Sequence, residues 1–284
     1  MEVMVEQIVV PRWDSQKPSR RSLKPNPKSL GAAASNPAKA RGLSKQTEKL
    51  FVLYLEAKEL FYRSALAARF EAMLHAKSRP RINKIVSLGL GSLGASKDQS
   101  RRMKQLAILM AIASHIQATS ESRLQIPLYA QDPSFTKTDE DFLSFLEVQV
   151  LKTPEASDLG EAGRVIDAET LIYSPFLTIE AYGRLFAATQ NKSKKAQSGE
   201  RIAPVLIGDD FNALRLKWEK KTAEHRNVEA LMRGLKERSY QRRVISGEGF
   251  WTESDNPFPM ALYWRQPDRT LEGAEASAPL KGKL

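Results

Sequence analysis

The sequence predicts a doubly wound α/β domain: a mostly parallel sheet of about five strands, Rossmann-like, with helices on both faces. The first observation is that short apolar runs alternate with helical patterns four times along the chain. The second is a glycine-rich turn, Gly89-x-Gly91-x-x-Gly94, between the first of these runs and a helix. Since no internal repeat is present, a solenoid or propeller is not predicted.

Each element follows from hydrophobic periodicity and from the residues that end it. Apolar residues at spacings of three and four predict helices at 47–76, 97–118, 178–189 and 212–239, with a short acidic helix in "KTDEDFLSFLE". The first of these is either one long helix or two joined helices. Short apolar runs that end at Gly, Asp or Pro predict strands at 82–88, 126–133, 148–152, 171–174 and 203–211. The aromatic segment 249–267 is predicted to be irregular and to pack back on the domain, and an exposed recognition segment is the open alternative.

The charge distribution divides the chain into three parts. Residues 1–46 carry nine basic and three acidic residues, or +6 of the formal net charge of +11, and are predicted to be a disordered basic tail. Residues 47–267 are predicted to form the α/β domain with a helical N-terminal extension and a helical, aromatic C-terminal extension, and residues 268–284 are predicted to be a second disordered tail. Because the domain itself is only mildly basic, nucleic-acid binding is not predicted beyond the basic tail.

Composition also predicts the cellular setting. The chain has no cysteine, which excludes disulfides, thiolate metal sites and a cysteine nucleophile. No apolar run is long enough for a membrane span, and the first ten residues lack the basic region of a targeting signal. An intracellular protein of the cytoplasm or nucleus, without membrane association, is therefore expected. For the stretch "KPSRRSLKPNPK" a nuclear-import signal and a phosphate-attracting tail are both open, and a solvated basic linker is favoured.

The glycine turn is the first candidate site. In a dinucleotide fold such glycines allow a tight turn, close approach to a phosphate and close helix packing, while helix amides hold the anion. The candidate cofactor-binding residues are Gly89, Gly91, Ser92, Gly94 and Asp132, and Ser96 offers another hydroxyl. Asp132 ends the second predicted strand, where an acidic residue would hold a ribose, although it comes later in the chain than the usual pattern. A purely structural turn is favoured, and nucleotide binding stays open.

Other candidate chemistry is sparse. Asp209 and Asp210 could hold Mg²⁺ or exchange protons, but capping of the next helix is favoured for such a pair. His75, His115 and His225 lie on three predicted helices without metal-ligand spacing, so no metal site is predicted. Neither a serine nucleophile elbow nor a P-loop occurs, and the catalytic residues, if any, are unknown.

Four separated segments resemble the SRR1-like domain family, over roughly residues 48–211. They are "IVSLGLGSLGASKDQSRRMKQLAILMAIA", "IPLYAQDPSFTKTDEDFL", "ETLIYSPFLTIEAYGRLF" and "PVLIGDDF", and "YAQDP" resembles fungal members in particular. The resemblance implies a regulatory role without an agreed enzymatic activity, since relatives are linked to light signalling, haem-biosynthesis regulation and cell division. Where plant and animal members tend to have Pro-His-Cys and Gly-Asn-Ser, this chain has Ser-Pro-Phe-Leu at 174–177 and Gly-Asp-Asp at 208–210.

The leading hypothesis is therefore a regulatory, non-catalytic protein that binds a protein partner or a small ligand at the carboxyl edge of its sheet. The alternative is an enzyme with an adenosine-containing cofactor, S-adenosylmethionine or NAD, at the glycine turn and with its ribose on Asp132. A third hypothesis, a nucleic-acid-associated protein, depends on the basic tail.

Overall fold

The computed structural model describes residues 44–75, 80–120, 125–153, 159–193, 205–247 and 249–265. Both predicted tails lie almost wholly outside the described residues. The first described helix begins at Lys45, slightly before the predicted start at Thr47. The side chain of Ser44 caps it by accepting a hydrogen bond from the Thr47 amide at 3.2 Å, which satisfies one of the amides that a helix start leaves unpaired.

The described residues contain eight α-helices and seven strands. The helices are α1 (Lys45–Arg63), α2 (Ala65–Leu74), α3 (Gln99–Thr119), α4 (Lys137–Phe145), α5 (Ala162–Val165), α6 (Ile179–Ser193), α7 (Phe211–Leu216) and α8 (Ala223–Glu237). The strands are β1 (Lys84–Leu88), β2 (Leu128–Gln131), β3 (Gln149–Val150), β4 (Thr170–Ser174), β5 (Val205–Asp209), β6 (Tyr240–Ile245) and β7 (Met260–Arg265). The helical pattern at 47–76 is thus two helices, which separate at Ser64.

The strands form one sheet in the order β3-β2-β1-β4-β5-β7-β6. The first five strands in this order are parallel, which confirms the predicted α/β class and the mostly parallel sheet. The predicted number of about five is too low, because β7 pairs antiparallel with β5 and β6 pairs antiparallel with β7. β7 lies inside the segment 249–267 that was predicted to be irregular, so that prediction is wrong for its last part.

Helices cover both faces of the sheet, as predicted. Successive strand residues point to opposite faces, so Ile85 of β1 belongs to one core and Val86 to the other. The first core lies between the sheet and α1–α4, and the second lies between the sheet and α5–α8. α3 is buried over most of its surface because α1 packs on its outer side.

A buried ion pair attaches the segment before β7 to α3. Lys104 of α3 pairs with Asp255, and Asp255 also accepts a hydrogen bond from the Ser100 hydroxyl at 2.7 Å. Both charged residues are almost inaccessible, at 6% exposure for Lys104 and 2% for Asp255. Since single buried charges are costly, each member of the pair depends on the other.

None of the described helices combines the length and the apolar character that crossing a membrane requires.

Candidate functional site

The sheet has a topological switch point between β1 and β4. The chain leaves β1 through α3 on one face and leaves β4 through α6 on the other. In open α/β sheets, ligands bind where two such loops diverge at the carboxyl ends of the strands. Loops 89–98 and 175–178 flank this point, and we call the space between them the switch-point crevice. The two loops are in contact, because Leu177 packs so closely on Gly89 that a Cβ added to Gly89 would lie 2.8 Å from Leu177 Cδ1.

The three glycines of the turn have different conformational roles. Gly89 and Gly91 have φ of +74° and +76°, in the left-handed region that residues with a Cβ disfavour. A Cβ on Gly91 would also lie 2.6 Å from Nε of Arg102. Gly94 lacks a positive φ, and its Cβ position has only the Ser92 hydroxyl within contact distance, at 3.5 Å. Two of the three glycines are therefore structurally required.

Gly91→Ala is expected to destabilise the protein by about 1–2 kcal/mol, because alanine disfavours the left-handed φ and its Cβ would displace the Arg102 side chain from the Ser92 carbonyl. Gly94→Ala is the matched control and is expected to change stability by less than about 1 kcal/mol. Urea denaturation of both variants measures the difference. Equal losses for the two variants would contradict this assignment of roles.

The backbone amides of the glycine turn donate hydrogen bonds to side-chain oxygens of the protein itself. The Gly91 amide donates to Asp132 Oδ2 at 2.7 Å, and the Leu93 amide donates to Asp139 Oδ1 at 2.8 Å. The Ser92 and Gly94 amides donate to the hydroxyls of Ser134 and Ser92. A phosphate could bind these backbone amides only by displacing the carboxylates of Asp132 and Asp139, which already accept hydrogen bonds from two of them.

Asp132 lies where the sequence predicts it, against the glycine turn. Parallel pairing of β1 with β2 brings it there from 41 residues away. Its Oδ2 accepts from Gly91, while its Oδ1 accepts from the amide of Ser134 at 2.8 Å and from the hydroxyl of the same residue. Asp132 thus joins the loops after β1 and β2. A ribose hydroxyl would have to bind carboxylate oxygens that already accept hydrogen bonds from these loops.

Asp139 is a residue of this loop that the sequence interpretation missed. It is completely buried and belongs to a capping box at the start of α4, in which it bonds the amide and hydroxyl of Thr136. It also accepts hydrogen bonds from Leu93 and from the Ser92 hydroxyl. The Thr-x-x-Asp spacing signals the capping box, but no sequence signal reports the contact with the glycine turn.

The opposite side of the switch-point crevice depends on Asp209. Its Oδ1 accepts a hydrogen bond from the Phe176 amide at 3.0 Å, in the loop after β4. Phe176 has φ of +67°, a strained conformation for a residue with a bulky side chain. Burial raises the pKa of Asp209 to about 7, against the opposing effect of hydrogen bonds from Phe176 and Tyr182. A titratable carboxyl group thus holds a strained residue at the crevice.

The side chains around Phe176 are aromatic and cationic. The guanidinium of Arg101 lies 4.9 Å from the centre of the Phe176 ring, which is a cation–π distance. Trp251 meets the same ring edge-on at 6.5 Å between centroids. Arg102, the next residue of α3, donates to the Ser92 carbonyl at 2.6 Å. The sequence interpretation identified none of these four residues as site residues, because α3, the loop after β4 and the segment before β7 come together only in the fold.

Asp210 has the structural role that the sequence favoured. It caps α7 by accepting from the Asn212 amide at 3.1 Å, which confirms the capping interpretation. Arg242 of β6 also binds both of its carboxylate oxygens, at 2.7 and 2.6 Å. Asp209 and Asp210 therefore contact different partners, and the described contacts do not form a shared cation site between them.

Comparison with known proteins identifies one matching family and several solved structures of low sequence identity. The family model described as SRR1 domain matches residues 55–266, whereas no curated protein matches the sequence significantly. Cofactor-bound Rv0187 from MTB is 11% identical, with TM-score 0.40, 80% of this chain covered and 92% of that one. Aeropyrum pernix fibrillarin in complex with S-adenosyl-L-methionine is 13% identical, with TM-score 0.36 and coverages of 69% and 73%. The Methanococcus jannaschii fibrillarin pre-rRNA processing protein is 13% identical, with TM-score 0.34 and coverages of 70% and 74%.

Proposed function

The chain belongs to the SRR1 domain family, and on that premise we propose that it is a regulatory protein that binds a small ligand in the switch-point crevice. The observation that carries the proposal is the hydrogen bond from Phe176 to Asp209. Backbone strain and a strongly raised carboxyl pKa are both concentrated at functional sites in proteins. Here they meet at the one edge of the sheet where an open α/β fold binds ligands.

The ligand is expected to have no phosphate at the glycine turn. Asp132 and Asp139 already accept from the amides that a pyrophosphate would need, and two carboxylates repel a second anion. This argues against NAD in the orientation that the glycine pattern suggests. An adenosine compound without phosphate, such as S-adenosylmethionine, is compatible with the turn. Its ribose hydroxyls could donate hydrogen bonds to the Asp132 carboxylate alongside the Gly91 and Ser134 amides.

Thermal denaturation with S-adenosylmethionine, adenosine, NAD and ATP tests the proposal. A ligand at a hundred times its Kd adds about 2.7 kcal/mol of stability, so S-adenosylmethionine or adenosine is expected to raise the Tm while NAD and ATP do not. Asp132→Asn should weaken this effect, and the exposed Asp141→Asn should leave it unchanged. Stabilisation by all four compounds, or by NAD and ATP alone, would contradict a phosphate-free site.

An enzyme that uses S-adenosylmethionine is the second candidate. The observation that favours it is the pKa of about 7 for Asp209, which suits a general acid or base at neutral pH. Asp209 is only 4% exposed, so catalysis would require a conformation in which its carboxyl group reaches the substrate. Methyl transfer from S-adenosylmethionine to an acceptor leaves S-adenosylhomocysteine, so mass spectrometry for this product, with a cell extract as the source of acceptors and Asp209→Asn as the comparison, distinguishes the candidates. Binding without product supports regulation, and product that Asp209→Asn abolishes supports catalysis.

A further inference from the structure

Two of the three histidines come together at the far end of α3 from the glycine turn. His75 caps the C-terminus of α2, and His115 lies in the last turns of α3. Their rings are in edge-to-face contact, with 4.5 Å between centroids and 88° between planes. Glu71 is four residues before His75 and lies on the same face of α2, with 3.8 Å between its Oε1 and His75 Nε2. The fold thus joins residues whose separation in sequence predicts no metal site.

One ligand atom from each of these residues can be chosen so that all three lie within 4.8 Å of one another. In a tetrahedral zinc site with bonds of about 2.0–2.1 Å, ligand atoms are about 3.3 Å apart. The trio must therefore contract only slightly around an ion. The side chains of Glu71 and His75 are 65% and 54% exposed, which leaves them room to rotate and gives the ion access from solvent.

The chemistry of the three groups selects the ion. Imidazole nitrogens favour Zn²⁺, Cu²⁺ and Ni²⁺ over Mg²⁺ and Ca²⁺, which prefer sets of oxygen ligands. Two histidines and one carboxylate with a fourth position for water form a common zinc set. Within the described part of the chain, no other group of three acidic or histidine residues meets the same distance criterion.

We propose that Glu71, His75 and His115 form a binding site for a divalent transition metal ion, with Zn²⁺ as the preferred occupant. Bound metal would cross-link α2 to α3 and fix the N-terminal helical pair on the sheet. His115 is about 24 Å along α3 from Gln99, at the end that follows the glycine turn, because each helical residue adds a rise of about 1.5 Å. The site is therefore independent of the proposed function.

Isothermal titration with ZnCl₂ tests the site on the full chain, prepared without a histidine tag and stripped with a chelator. One ion per chain is expected to bind in the micromolar range and to raise the Tm, and Mg²⁺ is not expected to bind. Glu71→Gln, His75→Ala and His115→Ala are each expected to weaken zinc binding by about tenfold or more. Because Glu71 and His75 are exposed, the first two variants should keep the metal-free Tm of the wild type.

His225→Ala is the matched control. His225 forms the same pair with a glutamate four residues away, 3.7 Å between its Nδ1 and Glu229 Oε2, but it belongs to no such trio. Its replacement is expected to leave zinc binding unchanged. Co²⁺ absorption gives a second readout, since tetrahedral coordination produces intense visible bands that His75→Ala should remove. The absence of saturable zinc binding, or an equal loss in His225→Ala, would overturn the proposal.

Discussion

Asp209→Asn is expected to make the protein more stable above neutral pH and to remove a pH dependence of stability between about pH 4 and pH 7. Burial raises the pKa of Asp209 to about 7 in the folded state, against about 3.9 in an unfolded chain. Between these values the folded protein holds a proton that the unfolded chain has lost. Stability from this group is therefore fully present below pH 4 and is lost as the pH rises through 7.

The expected size follows from the pKa difference. About three units correspond to about 4 kcal/mol, as an upper value. Asparagine keeps an oxygen that can accept from the Phe176 amide at Asp209's position and carries no charge to bury. Urea denaturation across this pH range measures the effect, and the exposed Asp141→Asn is the control. Parallel pH profiles for Asp209→Asn and the wild type would show that Asp209 is ionised at little cost.

This result would also bear on function. If ionised Asp209 destabilises the protein at neutral pH, asparagine, which has nearly the same shape and no charge, would remove that loss of stability. Sites that sacrifice stability in this way are commonly functional. Loss of ligand binding in an Asp209→Asn variant that is more stable than the wild type would connect the carboxylate directly to the switch-point crevice.

Lys104→Met is expected to destabilise the protein by about 3–5 kcal/mol, because it leaves Asp255 buried without its cation. Burial alone raises the pKa of Asp255, but hydrogen bonds from Lys104, Thr252 and Ser100 outweigh it and lower the pKa to about 2. The stability from this carboxylate is present above about pH 3.9 and is lost as the pH falls through 2. Chemical denaturation at neutral pH measures the loss.

Two further variants distinguish the loss of the buried ion pair from the general effect on stability of replacing a lysine. Lys137 pairs with Asp141 at 3.0 Å on the surface, and Lys137→Met should have little effect because water screens that pair. The double variant Lys104→Met/Asp255→Asn removes both buried charges and is expected to recover much of the lost stability. A Lys104→Met variant as stable as Lys137→Met would contradict the buried-pair interpretation.

The parallel part of the sheet could be predicted because its signals are local. Each of β1 to β5 is a short apolar run with a helix after it or a breaking residue at its end, as in "PVLIGDDF".

The antiparallel strands β6 and β7 were missed because their sequences lack these local signals. β6 is largely exposed and contains Arg242 and Arg243, so its sequence lacks the apolar alternation of a strand. β7 follows Pro257 and Pro259 in an aromatic segment, and residues 246–259 separate the two strands, too many for a hairpin-turn signal.

The candidate site could be predicted only in part. The glycine turn and Asp132 were found because a known spacing and a strand end mark them. Asp139 and Arg102 were missed because their contacts with the turn come from helix packing. The raised pKa of Asp209 likewise depends on burial under neighbouring elements, which no short stretch of sequence reports.

The sequence by itself determined the α/β class, most element positions and the location of the glycine turn, because periodicity and turn chemistry act over a few neighbouring residues. Only the tertiary structure decided how the turn's amides are used, how Asp209 holds Phe176 and how His75 meets His115. These contacts join residues 33–41 positions apart. Their strength depends on exclusion of water and on distance, and both are properties of the packed fold.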